Sequence, residues 1–282
     1  MCLKAWQIGL DIQTGYARAI AVQRRRNGWQ LRHWWQHPIT EDILREGILY
    51  ETAPLIAILS KWRSSLPRQI SLRLSLPAQR IMQQRMPEPD MRLREPHRET
   101  YIKTSASKQL PLSQQSLVMD YRADPCGDRQ LIVTAAQQKE VAQWQACLAQ
   151  AGLFPQVMEL APCALQIAAC AARLNPETLL VHPLDGGWMW ASPWGLPFEF
   201  GVINAEEAPE LTQLRQAIVL QYRAGKLCEE GLYCSHTFDG PMPDVWKSWS
   251  PLCALTQMSA PLPGNPEAFA IAMGLALRAD DG

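Results

Sequence analysis

The chain has 282 residues, 47% of them apolar, with 27 Lys and Arg against 27 Asp and Glu. That length buries one large core or two modest ones, and the balanced charge excludes a general affinity for nucleic acid. No apolar run reaches the length of a secretory signal or the roughly 18 residues of a spanning helix, so no membrane span is expected and the chain reads as cytoplasmic.

Trp6, Ile8, Leu10 and Ile12 alternate with Gln7, Gly9, Asp11 and Gln13, the period of a strand with one side in a core. Thr14-Gly15 turns the chain into a second strand, with Asp11 beside the turn on the other face. Arg24-Arg25-Arg26 before Asn27-Gly28 reads as a solvated hairpin tip. Trp29, Leu31, His33 and Trp35 then alternate as a third strand that Pro38 ends. Thr52 and Pro54 open a helix with Leu55, Ile58, Leu59 and Trp62 on one face. Ile70, Leu72, Leu74 and Leu76 predict a strand returning to the sheet before Pro77.

Residues 78–130 carry Pro87, Pro89, Pro96, Pro111 and Pro125 among polar side chains and read as an insertion built on the first sheet. Leu131 to Ala135 predicts a strand, and Val141, Trp144, Leu148 and Ala151 a helix stopping at Gly152; the two complete the inserted unit. Phe154 to Met158 is a strand, and Ala161 to Leu174 an alanine-rich helix placed between two lobes. Thr178 to Val181, Trp188 to Ala191 and Phe198 to Val202 form a second meander, followed by a helix over Leu211 to Tyr222 and a strand over Gly231 to Ser235. The same order of elements occurs twice without matching residues, a topological repeat.

Little points to other chemistry. The eight cysteines, Cys2, Cys126, Cys147, Cys163, Cys170, Cys228, Cys234 and Cys253, never stand at CxxC spacing and read as reduced core thiols. His33 and His37 stand four apart on strand and turn, not on one helix face, so no metal is expected. There is no GxSxG nucleophile motif. Trp188 and Trp190 share a strand face without basic neighbours, which favours core packing over base stacking, and no direct nucleic acid binding is expected.

Several segments in this order resemble the PilM-type type IV pilus assembly proteins of the actin/FtsA-like superfamily. They are Gly9-Leu10-Asp11-Ile12, Gly47-Ile48, Leu74-Ser75-Leu76-Pro77, Thr134-Ala135-Ala136 with Lys139-Glu140, Ala151-Gly152-Leu153, and Ala272-Met273-Gly274-Leu275-Ala276-Leu277-Arg278. The resemblance implies an α/β, actin/FtsA-like (RNase H-like) two-lobed fold with a small subdomain inserted in the first lobe. Residues 1–77 and 157–174 would form the first lobe, 78–156 the insertion and 175–282 the second lobe. It also implies a peripheral protein at the inner face of the inner membrane, serving a pilus or DNA-uptake apparatus and the use of extracellular DNA. Its partner would be the N-terminal tail of a PilN-type single-span membrane protein, connected in turn to a PilO-type protein. The groove between first lobe and insertion would hold that tail, with Ile70 to Leu76 as the free edge and Leu72, Leu74, Leu76 and Ile81 as contacts.

In the actin-like scheme two hairpins bring backbone N–H groups to phosphates while acids hold hydrated magnesium. Asp11, Thr14, Gly15, Asp185 and Gly186 are the residues that would hold Mg-ATP. Gln13, however, stands where a glycine is required for phosphate to approach the backbone. Arg18 is one alternation step away from the expected lysine, which could send it to the other face. Asp185-Gly186-Gly187 arrives three residues late after Leu179-Leu180-Val181, and Ser235 to Gly240 lacks a nucleoside-cradling glycine pair. These departures predict an adaptor with no cofactor and no enzymatic activity; an ATP-binding switch whose lobes close on nucleotide is the alternative.

Overall fold

The computed structural model describes residues 5–110, 116–124, 129–222, 232–235 and 246–279. In chain order, β1 (Trp6–Gln13), β2 (Gly15–Arg25) and β3 (Gly28–Ile39) form a meander. A small hairpin, β4 (Leu44–Arg45) and β5 (Ile48–Leu49), leads to α1 (Thr52–Ser64) and β6 (Ile70–Leu76). The chain then builds β7 (Ile81–Pro87), α2 (His97–Ser107), β8 (Leu117–Ala123) and β9 (Gln130–Gln137). It returns through α3 (Gln138–Gln150) to β10 (Pro155–Leu160) and α4 (Ala161–Ala171). The first sheet has the order β10-β6-β1-β2-β3, with β6 parallel to both its neighbours.

The second half repeats this plan. β11 (Leu179–Leu184), β12 (Gly187–Ala191) and β13 (Phe200–Asn204) are followed by α5 (Leu211–Gln221), β14 (Leu232–Cys234) and β15 (Trp246–Ser248). Their order, β13-β12-β11-β14-β15, has the same two antiparallel and two parallel pairings. The repeat is therefore one of topology and register.

The halves are joined by α4 and by α6 (Ala270–Leu277), all eight of whose residues are buried. Two glycines allow this contact. A Cβ on Gly9 would stand 2.0 Å from the Ala272 carbonyl oxygen, and one on Gly274 would stand 1.7 Å from that of Ala164. Strand β1, α6 and α4 thus stack backbone against backbone, closer than any side chain permits. Ile20, Ala164, Leu180, Met189 and Met273 share the resulting core, so Ala161 onward does lie between the lobes.

Several expectations are corrected. Strand β3 does not stop before Pro38, because it is the outer strand of its sheet and proline's missing N–H costs no ladder bond there. Its single alternation is broken where Ala21 pairs with His33 but Val22 pairs with Leu31. The extra residue, Arg32, sends Trp29, Leu31 and Trp34 toward the inter-lobe core, while Trp35 stacks on Trp62 at 4.8 Å on the other side. Helix α1 begins at Thr52 itself, after Glu51, and has no side-chain cap. Helix α3 does not belong to the core of the inserted unit. Trp144, Cys147, Leu148 and Ala151 recur at helical spacing and join Leu55, Leu59 and Trp62 in the first-lobe core. The insertion has its own core, in which Met86, Ile102, Leu117, Met119 and Val133 bring together β7, α2, β8 and β9.

Of the described cysteines, Cys147, Cys163 and Cys234 are buried free thiols, while Cys170 and Cys253 are exposed. Cys2, Cys126, Cys228 and Gly231 lie outside the described residues. Trp188 and Trp190 are core residues, their indole N–H groups donating to the Ala208 carbonyl and to Gln221 Oε1.

Candidate functional site

The two hairpin tips converge between the lobes. Thr14-Gly15 turns β1 into β2, Asp185-Gly186 turns β11 into β12, and a Cβ on Gly15 would lie 3.8 Å from Asp185 Oδ2. Gly15 and Gly186 have φ of 88° and 79°, as such tight turns require. Asp11, Thr14, Gly15, Asp185 and Gly186 therefore lie at one junction, where Asp185 and Gly186 are exposed and Asp11 is 1% exposed.

The chemistry at the tips departs from what magnesium and phosphate require. Gln13 Nε2 donates to Asp11 Oδ1 at 2.9 Å, and Ser75 Oγ donates to the same oxygen at 2.5 Å. Burial pushes the Asp11 carboxyl above its ordinary range, opposed by those two hydrogen bonds and by the charge of Arg18. Arg18 is directly opposite Asp11 in the β1–β2 register, so it shares Asp11's face, which corrects the expectation from alternation alone.

In the second lobe the matching position holds no acid. His182 precedes its turn by the same three residues as Asp11 precedes Thr14, and is buried with Nδ1 2.6 Å from Ser235 Oγ. Ser235 follows β14 where Ser75 stands in β6, so Asp11–Ser75 and His182–Ser235 are positional counterparts. The Asp185-Gly186 turn comes late because the strand runs on to Leu184, and the acid position is an imidazole. A hard, hydrated magnesium ion takes oxygen ligands, and the His182 imidazole at the second-lobe position does not supply one. The segment expected to cradle the nucleoside, His236 to Gly240, lies outside the described residues. No group of His, Cys, Asp and Glu suited to a metal occurs among the described residues.

The second candidate region is a groove of about 570 Å³ between the first lobe and the insertion. All six residues of β10 line it, and among the described residues β10 pairs only with β6, so its other edge faces the groove. The opposite wall is one face of the β8–β9 pair, presenting Val118, Asp120, Arg122, Ile132, Thr134 and Ala136. Glu159 and Arg278 close one end with an ion pair at 2.7 Å.

This geometry corrects the expected contacts. Strand β6 is an interior strand, not the edge, and Leu72 and Leu74 are wholly buried in the first-lobe core. Leu76 and Ile81 do line the groove. The edge role of β10 was missed because Val157 and Met158 give no alternation that separates an outer strand from an inner one. His182 was legible by counting three residues back from each hairpin turn.

Two sheets of one strand order, joined by two packed helices, define an actin-like two-lobed protein. The chain belongs to the PilM family, since the model described as type IV pilus assembly protein PilM matches residues 9–179. It is 30% identical over 280 residues to the DNA utilization protein HofM of Escherichia coli (strain K12), covering 98% of both chains. Among solved structures it is similar to a chain of a PilM-PilN type IV pilus biogenesis complex, with a TM-score of 0.68 and 17% identity over 96% of this chain and 97% of that one. The cytoplasmic domain of EpsL, an inner membrane component of the type II secretion system of Vibrio cholerae, gives a TM-score of 0.58 and 11% identity over 97% and 95%. The protein is thus a PilM-like member of the type IV pilus assembly and DNA utilisation proteins.

Proposed function

We propose that this protein is a non-enzymatic adaptor that holds the N-terminal tail of a PilN-type single-span membrane protein. Through that partner it connects to a PilO-type protein beneath the inner membrane and supports a pilus or DNA-uptake apparatus. One observation carries the reading: the free edge of β10 runs along a groove whose other wall is a mixed apolar and polar sheet face. An extended peptide added to such an edge gains backbone hydrogen bonds, and its alternate side chains meet the facing wall. The name of the PilM-PilN complex and that of the DNA utilization relative agree with this reading.

The hairpin tips, on the same proposal, no longer take Mg-ATP. Gln13 folds onto Asp11 where phosphate would approach, and His182 replaces the second acid. The convergence of Gly15 and Asp185 favours the alternative, a nucleotide-closed switch.

Calorimetric titration with a synthetic PilN-type tail tests the adaptor. Saturable binding is expected, with a scrambled peptide weaker by at least about tenfold, or about 1.4 kcal/mol. Equal binding of the two peptides would refute it.

A further inference from the structure

We infer that the end of the first lobe opposite the hairpin tips is a docking surface for anionic phospholipid headgroups. At that end β1 and β6 begin and β2 turns into β3. Arg25, Arg32 and Arg68 line one concavity of about 470 Å³ with Trp6. The bulge in β3 sets Arg32 there, and Arg24 near the end of β2 and Arg26 in the adjoining turn are exposed.

Arg25 Nε donates to Gln30 Oε1 at 2.8 Å, Arg32 contacts the same oxygen at 3.4 Å, and none of the five arginines forms an ion pair among the described residues. The exposed acids of the first lobe's opening segment, Glu41, Asp42, Glu46 and Glu51, follow the far end of β3. A chain with no net charge therefore carries a polarised lobe, and uncompensated cations at one end attract an anionic surface.

Two features favour a bilayer over a nucleic acid strand. Phe154 is 66% exposed at the same end, beside Gly152, whose carbonyl is held by Arg63 along with those of Leu66, Pro67 and Arg68. Cations and a protruding apolar side chain at the same end of one sheet suit the headgroup boundary. The tryptophan rings at this end are already covered against base stacking, Trp6 by Arg32 at 5.2 Å and Trp29 by Arg24 at 5.1 Å. The Pro155 end of the groove begins three residues after Gly152, so the lipid-facing end adjoins one mouth of the groove. The inference does not depend on a tail occupying it.

Co-sedimentation of the full chain with vesicles tests this. Phosphatidylglycerol-rich vesicles should bind at least about tenfold better than phosphatidylcholine vesicles at low salt, and the preference should fall as salt rises. Arg25→Glu with Arg68→Glu should abolish the preference. Arg24→Glu with Arg26→Glu, at the exposed end of β2 and the turn after it, should weaken it severalfold while lowering the melt by no more than about 2 °C. Equal binding to both vesicles, or retention of the preference in both charge-reversed variants, would overturn the inference. So would binding of a single-stranded oligonucleotide through these arginines without vesicle binding. Tail titration uses no lipid, so either idea can fail alone.

Discussion

Asp11 and His182 occupy the same position in the two lobes, each three residues before its hairpin turn and each hydrogen-bonded to the serine at the matching place of a parallel neighbouring strand. One half of the repeat keeps a carboxylate there, and the other has an imidazole. Both side chains are buried and each is hydrogen-bonded to a serine, so the two halves match in structure at positions where their residue types differ. On the adaptor reading, fold and ligand chemistry part company at this pair of positions.

Nucleotide should therefore not stabilise the protein. A ligand at about 100 times its dissociation constant adds about 2.7 kcal/mol to native-state stability, worth several degrees in a chain of this size. The expected change in melting temperature with millimolar Mg-ATP is below about 1 °C. A rise of several degrees, lost in Asp11→Ala, would establish the switch instead.

Much of the architecture was legible in the sequence because local chemistry and tertiary role coincide. The β1–β2 hairpin, α1 and β6 each have a period and a stop signal that the tertiary structure leaves intact, whereas in the second meander β11 runs through His182-Pro183 to Leu184 and β13 is shifted to Phe200–Asn204. The insertion was less legible. Helix α2 buries only Ile102 and Ala106, so His97 to Ser107 carries almost no apolar stripe. The allegiance of α3 was invisible for another reason: Trp144 and Leu148 announce a buried face but not which core receives it. At the hairpin site Gln13 was readable as an obstruction, but its bond to Asp11 was not.

The pH dependence of Asp11 follows from its burial. A carboxyl raised above its unfolded value contributes stability that is full below the ordinary carboxylate range and is lost as pH rises through the raised value. Asp11→Asn removes that ionisation. The variant's stability relative to the parent should increase from acidic pH toward neutrality and then level off. Urea denaturation at several pH values reads this, and a pH-independent difference would mean that Asp11 does not titrate abnormally.

Gly274→Val tests the closeness of α4 and α6. Its Cβ would meet the Ala164 carbonyl oxygen at 1.7 Å, a backbone atom that no rotamer change can move. Overpacking typically costs about 1–3 kcal/mol, and more where the helices themselves must separate. A loss of at least about 3 kcal/mol in urea denaturation is expected. Gly186→Ala is the control, strained by its positive φ but with nothing within 4 Å, and should cost only about 1 kcal/mol.

Val118→Arg separates groove function from folding. Val118 is 45% exposed on the groove wall and faces away from the insertion core that holds Leu117 and Met119. A substitution there should leave the melting temperature within about 1 °C, because exposed positions contribute little to stability. The long cationic side chain fills space that an extended tail on the β10 edge would use, and brings a third arginine beside Arg122 and Arg278. Tail affinity should fall at least about tenfold, or about 1.4 kcal/mol. Unchanged affinity with an unchanged melt would place the tail elsewhere, whereas reduced affinity with an unchanged melt ties recognition to the wall facing β10.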